Sequence, residues 1–230
     1  MMLPLLAANP TCTSCELHKY AKNPGLPGVL LSSSLPPSPT TPLLVILGMA
    51  PSYADDHKMV LAHKAGAQHL FNNVYLPPLC AAATVVLIQT VRCYTPATTP
   101  PKPKQCRTCF SHHSTDDLRG ACHHLAPETP RALLCLGAHA IATVTKYTQP
   151  KSWSLRTAFT KQGTPSTLWG DYPIFTTFSP GAVMHSPNLI HPVTDHITLV
   201  HSALVGTMPV ASSPHIVRPF SPTRNHNDRL

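Results

Sequence analysis

Eight cysteines punctuate this chain, and their spacing is where chemistry first becomes visible. Cys12 and Cys15 form a C-x-x-C pair, Cys93 follows a strongly apolar run, and Cys122 falls in a stretch with helical character. Four thiolates drawn from separate points of one chain satisfy an iron–sulfur cluster, which takes four sulfur ligands. Tetrahedral zinc has the same ligand count. A second C-x-x-C, Cys106 and Cys109 followed by His112-His113, competes. Joined to Cys12 and Cys15 it would make a zinc site, at a spacing too long for an ordinary finger. Cys106 with Cys122 also has a cluster-like spacing, so the third ligand stays open between Cys93 and Cys106. Cys80 in an apolar loop and Cys135 inside a strand read as small core residues.

The elements that must position these thiols alternate. Leu43–Leu47 is a continuous apolar run closed by Gly48, the pattern of a strand buried on both faces. Thr84–Val91, Ala132–Leu136 and Tyr172–Phe178 read the same way. Between them, Lys64–Leu76 has apolar residues at helical spacing. A helix capped by Ser114 or Thr115 runs through Leu118, Cys122 and Leu125. Another follows Gly137 to about Tyr147, and the last spans Thr194–Gly206 with Thr194 as its N-cap and Ile197, Val200 and Leu204 on one face. Asn23–Pro42 and Tyr94–His113 are Pro-rich loops, and the tail from Thr207 reads as mobile. The expectation is an α/β fold, a three-layer αβα sandwich with a four-stranded, mainly parallel central sheet. Residues 1–206 form one domain, and function sits at the carboxyl ends of the strands.

Composition narrows the partners. The 43% apolar fraction supports a packed core, while charged residues reach only 11%, well below the usual quarter. Nine carboxylates against a formal charge of +8 favour an acidic partner, and nucleic acid leads. No apolar run is long enough to span a membrane. Met1–Ala8 lacks a basic region and does not read as a secretory signal. Metal ligation then accounts for the cysteines better than disulfides, and implies a reducing, cytoplasmic setting.

At the strand ends the residues become recognisable. Gly48-Met49-Ala50-Pro51, then Asp55-Asp56 and Lys64-Ala65-Gly66, resemble the G-E-A-P-G…E-D…R-A-G loop of iron–sulfur uracil-DNA glycosylases. Cys12-Thr13-Ser14-Cys15-Glu16-Leu17-His18-Lys19 is similar to that family's opening C-x-x-C-x-L-H-K. Val91-Arg92-Cys93-Tyr94-Thr95-Pro96 resembles V-K-C-R-P-P, Cys122-His123-His124-Leu125 resembles C-x-x-L, and residues 130–137 resemble P-x-x-I-V-x-L-G. Phe178 through Pro187 is similar to Y-H-P-S-x-L-L-R-x-P. The ordered set covers about residues 12–206 and resembles the phage- and archaeal-type branches of the superfamily. Its departures fall on the chemistry. Met49 stands where the family has an acid, Ser179 where it has histidine, and Gln89 where it has asparagine; the stacking aromatic falls near Leu61.

The resemblance implies a monomeric protein that flips uracil or a modified uracil out of DNA and hydrolyses its N-glycosidic bond. A [4Fe-4S] cluster would be held by Cys12, Cys15, Cys93 and Cys122 as a structural brace. Asp55 or Asp56 would position water, or serve as a solvated or helix-capping carboxylate. Gly48, Met49, Ala50, Leu61 and Gln89 would hold the base, and Ser179 would donate to the leaving oxygen. Arg92, Lys102 and Lys104 would meet phosphates, as would Lys19, Lys22 and Arg107. Met184 and His185 would meet DNA, with Met184, or Leu189, as an apolar wedge, or the segment would simply pack as a loop. His57, His63 and His185 read as surface residues. The alternative is a catalytically weak or inactive DNA-binding module of the same fold, serving replication or repair proteins.

Overall fold

The computed structural model describes residues 3–4, 9–31, 41–58, 67–96, 98–114, 131–144, 164–166 and 172–206. Leu61, His63, Lys64–Gly66, Cys122, the tail from Thr207 and nearly all of the helix expected over 114–125 lie outside them.

Four six-residue strands make the centre: β3 (Leu43–Gly48), β4 (Thr84–Gln89), β5 (Arg131–Leu136) and β7 (Tyr172–Thr177). They run parallel, in the order β4-β3-β5-β7. The sheet is mixed and wider than four strands. β2 (Val29–Leu30) adds antiparallel to β4, β1 (Leu3–Pro4) to β2, and β6 (Thr164–Ser166) to β7, making seven. The three extra strands hold two or three residues each, too few for an apolar alternation to show. Short antiparallel strands at both margins also leave little of the parallel ladder exposed as an open edge.

Every residue of β3 and β4 is buried, because helices cover both faces. On one face Leu44, Ile46, Val85, Leu87, Leu134 and Phe175 pack against Phe71, Tyr75 and Leu79 and against Val193, Ile197, Val200 and Leu204. On the other, Val45, Leu47, Ile88 and Cys135 pack against Phe110, Ala140, Ile141 and Val144. The period-2 alternation of the strands thus supplies two cores from one set of apolar runs.

The helices correct three expectations. α2 (Ala67–Leu70) continues through a π turn (Phe71–Tyr75) into α3 (Leu76–Ala82), beyond the Leu76 end of the expected helix. The Leu76 amide bonds back to the Phe71 carbonyl, a widened ring that absorbs the two missing proline donors. α4 (Pro103–Cys109) lies inside the segment expected to be loop. Pro103 opens it, a position where the missing amide costs nothing, and the Gln105 side-chain oxygen accepts from the Lys102 amide at 2.7 Å. α5 (Ala138–Val144) follows Gly137 as expected, and α6 (Pro180–His185) precedes the last helix. That helix, α7 (Ile190–Leu204), starts four residues before Thr194. Thr194 is no cap; its hydroxyl donates to the Ile190 carbonyl at 3.0 Å. Among the described residues no helix is long and apolar enough to cross a membrane.

Leu134 is fully buried at the centre of β5. Leu134→Ala is expected to cost about 2–5 kcal/mol through lost burial and the cavity left behind, read as a lower urea midpoint. Val205→Ala, at a 46% exposed site, should shift it by less than about 0.5 kcal/mol.

Candidate functional site

The register of the parallel strands sets the site. Gly48 pairs with Gln89 on the last rung of β3–β4, and Leu136 pairs with Thr177 on β5–β7. The four carboxyl ends therefore finish together, and a cavity of about 300 Å³ opens beyond them, lined by Gly48, Met49, Ala50, Gln89, Gly137, His139 and Ser179 among others. α2 and the π turn close it with Gln68 and Phe71.

Local geometry explains the residue types. A β-carbon at position 48 would run into the Gln89 amide oxygen, so only glycine lets that amide lie over the strand end. Backbone pairing carries on past the strands: Thr90 donates to the Gly48 carbonyl at 2.9 Å and Val91 to the Met49 carbonyl at 3.0 Å. Gly137 has φ +84° and its amide bonds the Thr177 carbonyl at 2.8 Å. That left-handed turn is open to glycine and strained for other residues. Ser179 caps α6, its hydroxyl oxygen accepting from the Ala182 amide at 3.3 Å, which leaves the hydroxyl proton to be donated elsewhere.

Five residues expected at the site are thus brought together: Gly48, Met49, Ala50, Gln89 and Ser179. The two carboxylates are placed otherwise. Asp56 is buried, and its oxygens accept from the Lys22 amide at 2.7 Å and the Asn23 amide at 2.8 Å. Asp55 is buried at the start of α1 (Tyr53–Lys58), accepting from the Ser52 amide at 2.8 Å while Ser52 Oγ accepts from the Asp55 amide at 3.2 Å. This is a reciprocal cap, reinforced by Gln68 Nε2 at 3.5 Å. Neither carboxylate is among the residues lining the cavity: Asp55 caps α1 and Asp56 holds the Lys22 and Asn23 amides.

Two lining residues carry chemistry that the motifs did not point to. Phe71, whose spacing marks it only as a helix core residue, supplies an aromatic wall. His139 stands two residues beyond Gly137, and burial lowers its pKa below the ordinary histidine value. Its position after a buried strand and a glycine, matching that of Ala50 after Gly48, was the available signal.

Beside the pocket lies a second cluster. Cys93, Cys106 and Cys109 are buried together with Leu17 and Val91, and Cys15 packs on them. Burial pushes the Cys93 and Cys106 thiols up to about 11. It pushes the Cys109 thiol up to about 12, with Cys93, Cys15 and Cys12 near enough to add like-charge repulsion. The Arg92 amide donates to Cys109 Sγ at 3.3 Å, and a ring nitrogen of His113 lies 3.3 Å from Cys12 Sγ. Among the described residues, Cys109 lies near Cys12, Cys15 and Cys93 and Cys106 lies near Cys15, both delivered by the unexpected helix α4. Among the described residues no three histidine, cysteine or carboxylate side chains are closed around one point as a single ion requires.

The residues expected to face phosphate divide. Lys102 and Lys104 are exposed on the first turn of α4, and Met184, 52% exposed, and His185 end α6. Arg92 is buried, its Nε donating to the Leu26 carbonyl at 2.7 Å. It braces the protein interior and is withdrawn from phosphate. Comparison with protein-family models and with characterised proteins finds no match for this chain.

Asp56→Ala removes the acceptors of two amides. It should cost about 1–3 kcal/mol and speed hydrogen exchange at Lys22 and Asn23 relative to the β3 amides. Unchanged exchange at those two positions would refute the clamp.

Proposed function

We propose that the cavity receives a uracil-type base extruded from DNA and that the chain hydrolyses its bond to deoxyribose, as a monofunctional glycosylase of the uracil-DNA glycosylase fold. The observation that carries this reading is the convergence of Gly48–Ala50, Gln89 and Ser179, from three separate strand ends, on one small cavity. Its volume of about 300 Å³ lies at the lower end of ligand sites, suited to one base. The Gln89 amide offers an acceptor and a donor side by side, the complement of a uracil N3–H and its neighbouring carbonyl. Phe71 supplies a wall for the ring. As the bond breaks, negative charge gathers on the base, and the Ser179 hydroxyl is available to donate to it. Exposed Lys102 and Lys104 and the net charge of +8 favour sequence-independent phosphate contacts, while exposed Met184 suits an apolar wedge.

The thiol corner supports a [4Fe-4S] cluster on Cys12, Cys15, Cys93 and Cys109. A cluster spreads its sulfur ligands over separate corners, whereas zinc gathers them within one coordination sphere. What supports the reading is that Cys109 lies near Cys93, Cys15 and Cys12 in one corner of the fold. The raised pKa values of Cys93 and Cys109 are what burial does to a thiol; a bound metal centre would favour the thiolates instead. When bound, such a cluster supplies structural cross-linking, since the reaction transfers no electrons.

A second reading rests on the two carboxylates. With Asp55 and Asp56 both engaged in hydrogen bonds, the chain would be a base-binding module of weak or absent activity. Uracil-containing single- and double-stranded oligonucleotides, treated with alkali after incubation, separate the two. Abasic cleavage is expected, and salt-sensitive binding without it would establish the module. Gly48→Ala should displace the Gln89 amide and reduce uracil-dependent binding, with little change for undamaged DNA. For the cluster, anaerobically isolated protein is expected to be brown and to contain iron and acid-labile sulfide. These should be lost in Cys109→Ser and kept in Cys122→Ser; the opposite pattern would reject the ligand set.

A further inference from the structure

Excision needs a group to take a proton from the attacking water, and neither buried aspartate faces the cavity. Among the described residues lining it, His139 is the one whose side chain can exchange a proton near neutral pH. The strand order places it usefully. Gln89 ends β4 on one side, Gly48–Ala50 follow β3, and His139 and Ser179 follow β5 and β7 on the other. A base read by Gln89 at its N3 edge would extend its O2 and its sugar bond toward Ser179 and His139.

From this arrangement we infer that His139 is the general base of the excision reaction, accepting a proton from the water that attacks the deoxyribose carbon. The inference rests on the reading of the cavity as a base-excision site. The water oxygen bonds to C1′, and the C1′–N1 bond breaks with its electron pair leaving on the base. The water proton passes to the imidazole and then to the base anion. The products are free base and an abasic sugar, the imidazole is restored, and no oxidant or cofactor is consumed.

The surroundings favour a neutral ring. Met49, Ser52, Gln68, Phe71, Gln89 and Ser179 carry no charge into the cavity. Asp55 stands behind Ser52 and Gln68, bonded to both. α4, which packs on α5, holds Lys102, Lys104 and Arg107 exposed. Burial is the cause of the lowered pKa. The imidazole is therefore competent above that value and is lost as pH falls through it, which places an acid limb below the ordinary pKa of about 6.5.

The test uses the full chain on a uracil-containing single-stranded oligonucleotide, with single-turnover rate and binding measured separately across pH. His139→Gln is expected to lower the rate about 10²- to 10⁴-fold, to leave binding unchanged, and to abolish the acid limb. Added imidazole should restore part of the rate of His139→Ala. A structural role alone would move neither the pH profile nor the imidazole response. A wild-type rate with an intact acid limb in His139→Gln overturns the assignment while excision stands. A wild-type chain that binds uracil-containing DNA and never excises overturns it in favour of the binding module. A chain that neither binds nor excises overturns the cavity reading with it.

Discussion

The last rung of the β3–β4 ladder is the constraint on which the rest depends. Gly48 and Gln89 face each other there, and the space left by the missing β-carbon is the space the Gln89 amide occupies. Parallel register makes this consequential. A slip of one residue would carry Gln89 to the opposite face of the sheet and put an apolar side chain over the strand end. The two cores that alternate through β3 and β4 forbid that slip, because it would exchange every buried contact at once. A polar group is held in a fixed place by apolar packing that never touches it.

The same segment links the pocket to the thiols. Gln89 lies four residues before Cys93, and Thr90, Val91 and Arg92 between them are all buried. Thr90 and Val91 are bonded to the carbonyls of Gly48 and Met49, while Arg92 exchanges bonds with Leu26, its carbonyl accepting from the Leu26 amide at 2.8 Å and its Nε donating to the Leu26 carbonyl. Asp56, from the helix beyond the Gly48–Pro51 loop, seizes the Lys22 and Asn23 amides. The Cys12–Cys15 segment is thus tied from both sides to the strand ends that form the pocket. An inorganic centre in the thiol corner would tighten that tie, which gives a structural reason for a metal in a protein whose proposed reaction needs none.

Much of this was legible in the residues. Continuous apolar runs such as LLVIL and TVVLIQ can only be strands covered on both faces, and each was followed by a glycine or polar residue where the chain turns. That logic found four parallel strands and the pocket side of the sheet; the five lining residues came from the resemblance to the glycosylase motifs. It failed where proline carries two meanings. The prolines of 94–113 read as loop, yet Pro103 opens a helix, and the helix expected to end at Leu76 runs on through Pro77-Pro78 after a π turn. The helix at Pro103 is what carries Cys109 to the other thiols. Asp55-Asp56 stayed open for a different reason: an adjacent pair of acids has the same sequence signature whether it meets solvent, substrate or backbone amides, and the fold shows both accepting backbone amides.

On the proposed reading, the departures from the resembled motifs have one physical account. Glutamine in place of asparagine lengthens the stem by a methylene, and the amide still fits because position 48 has no side chain to oppose it. Serine in place of histidine at 179 keeps a donor but gives up a group able to carry positive charge or exchange a proton. The imidazole at 139, on the neighbouring strand end, returns that capacity to the same cavity from a different element. The aromatic wall is likewise supplied by Phe71, from the helix that closes the cavity. A pocket formed by several strand ends tolerates such exchanges because each end delivers its side chain to common ground. What it must preserve is the backbone register that makes those ends coincide.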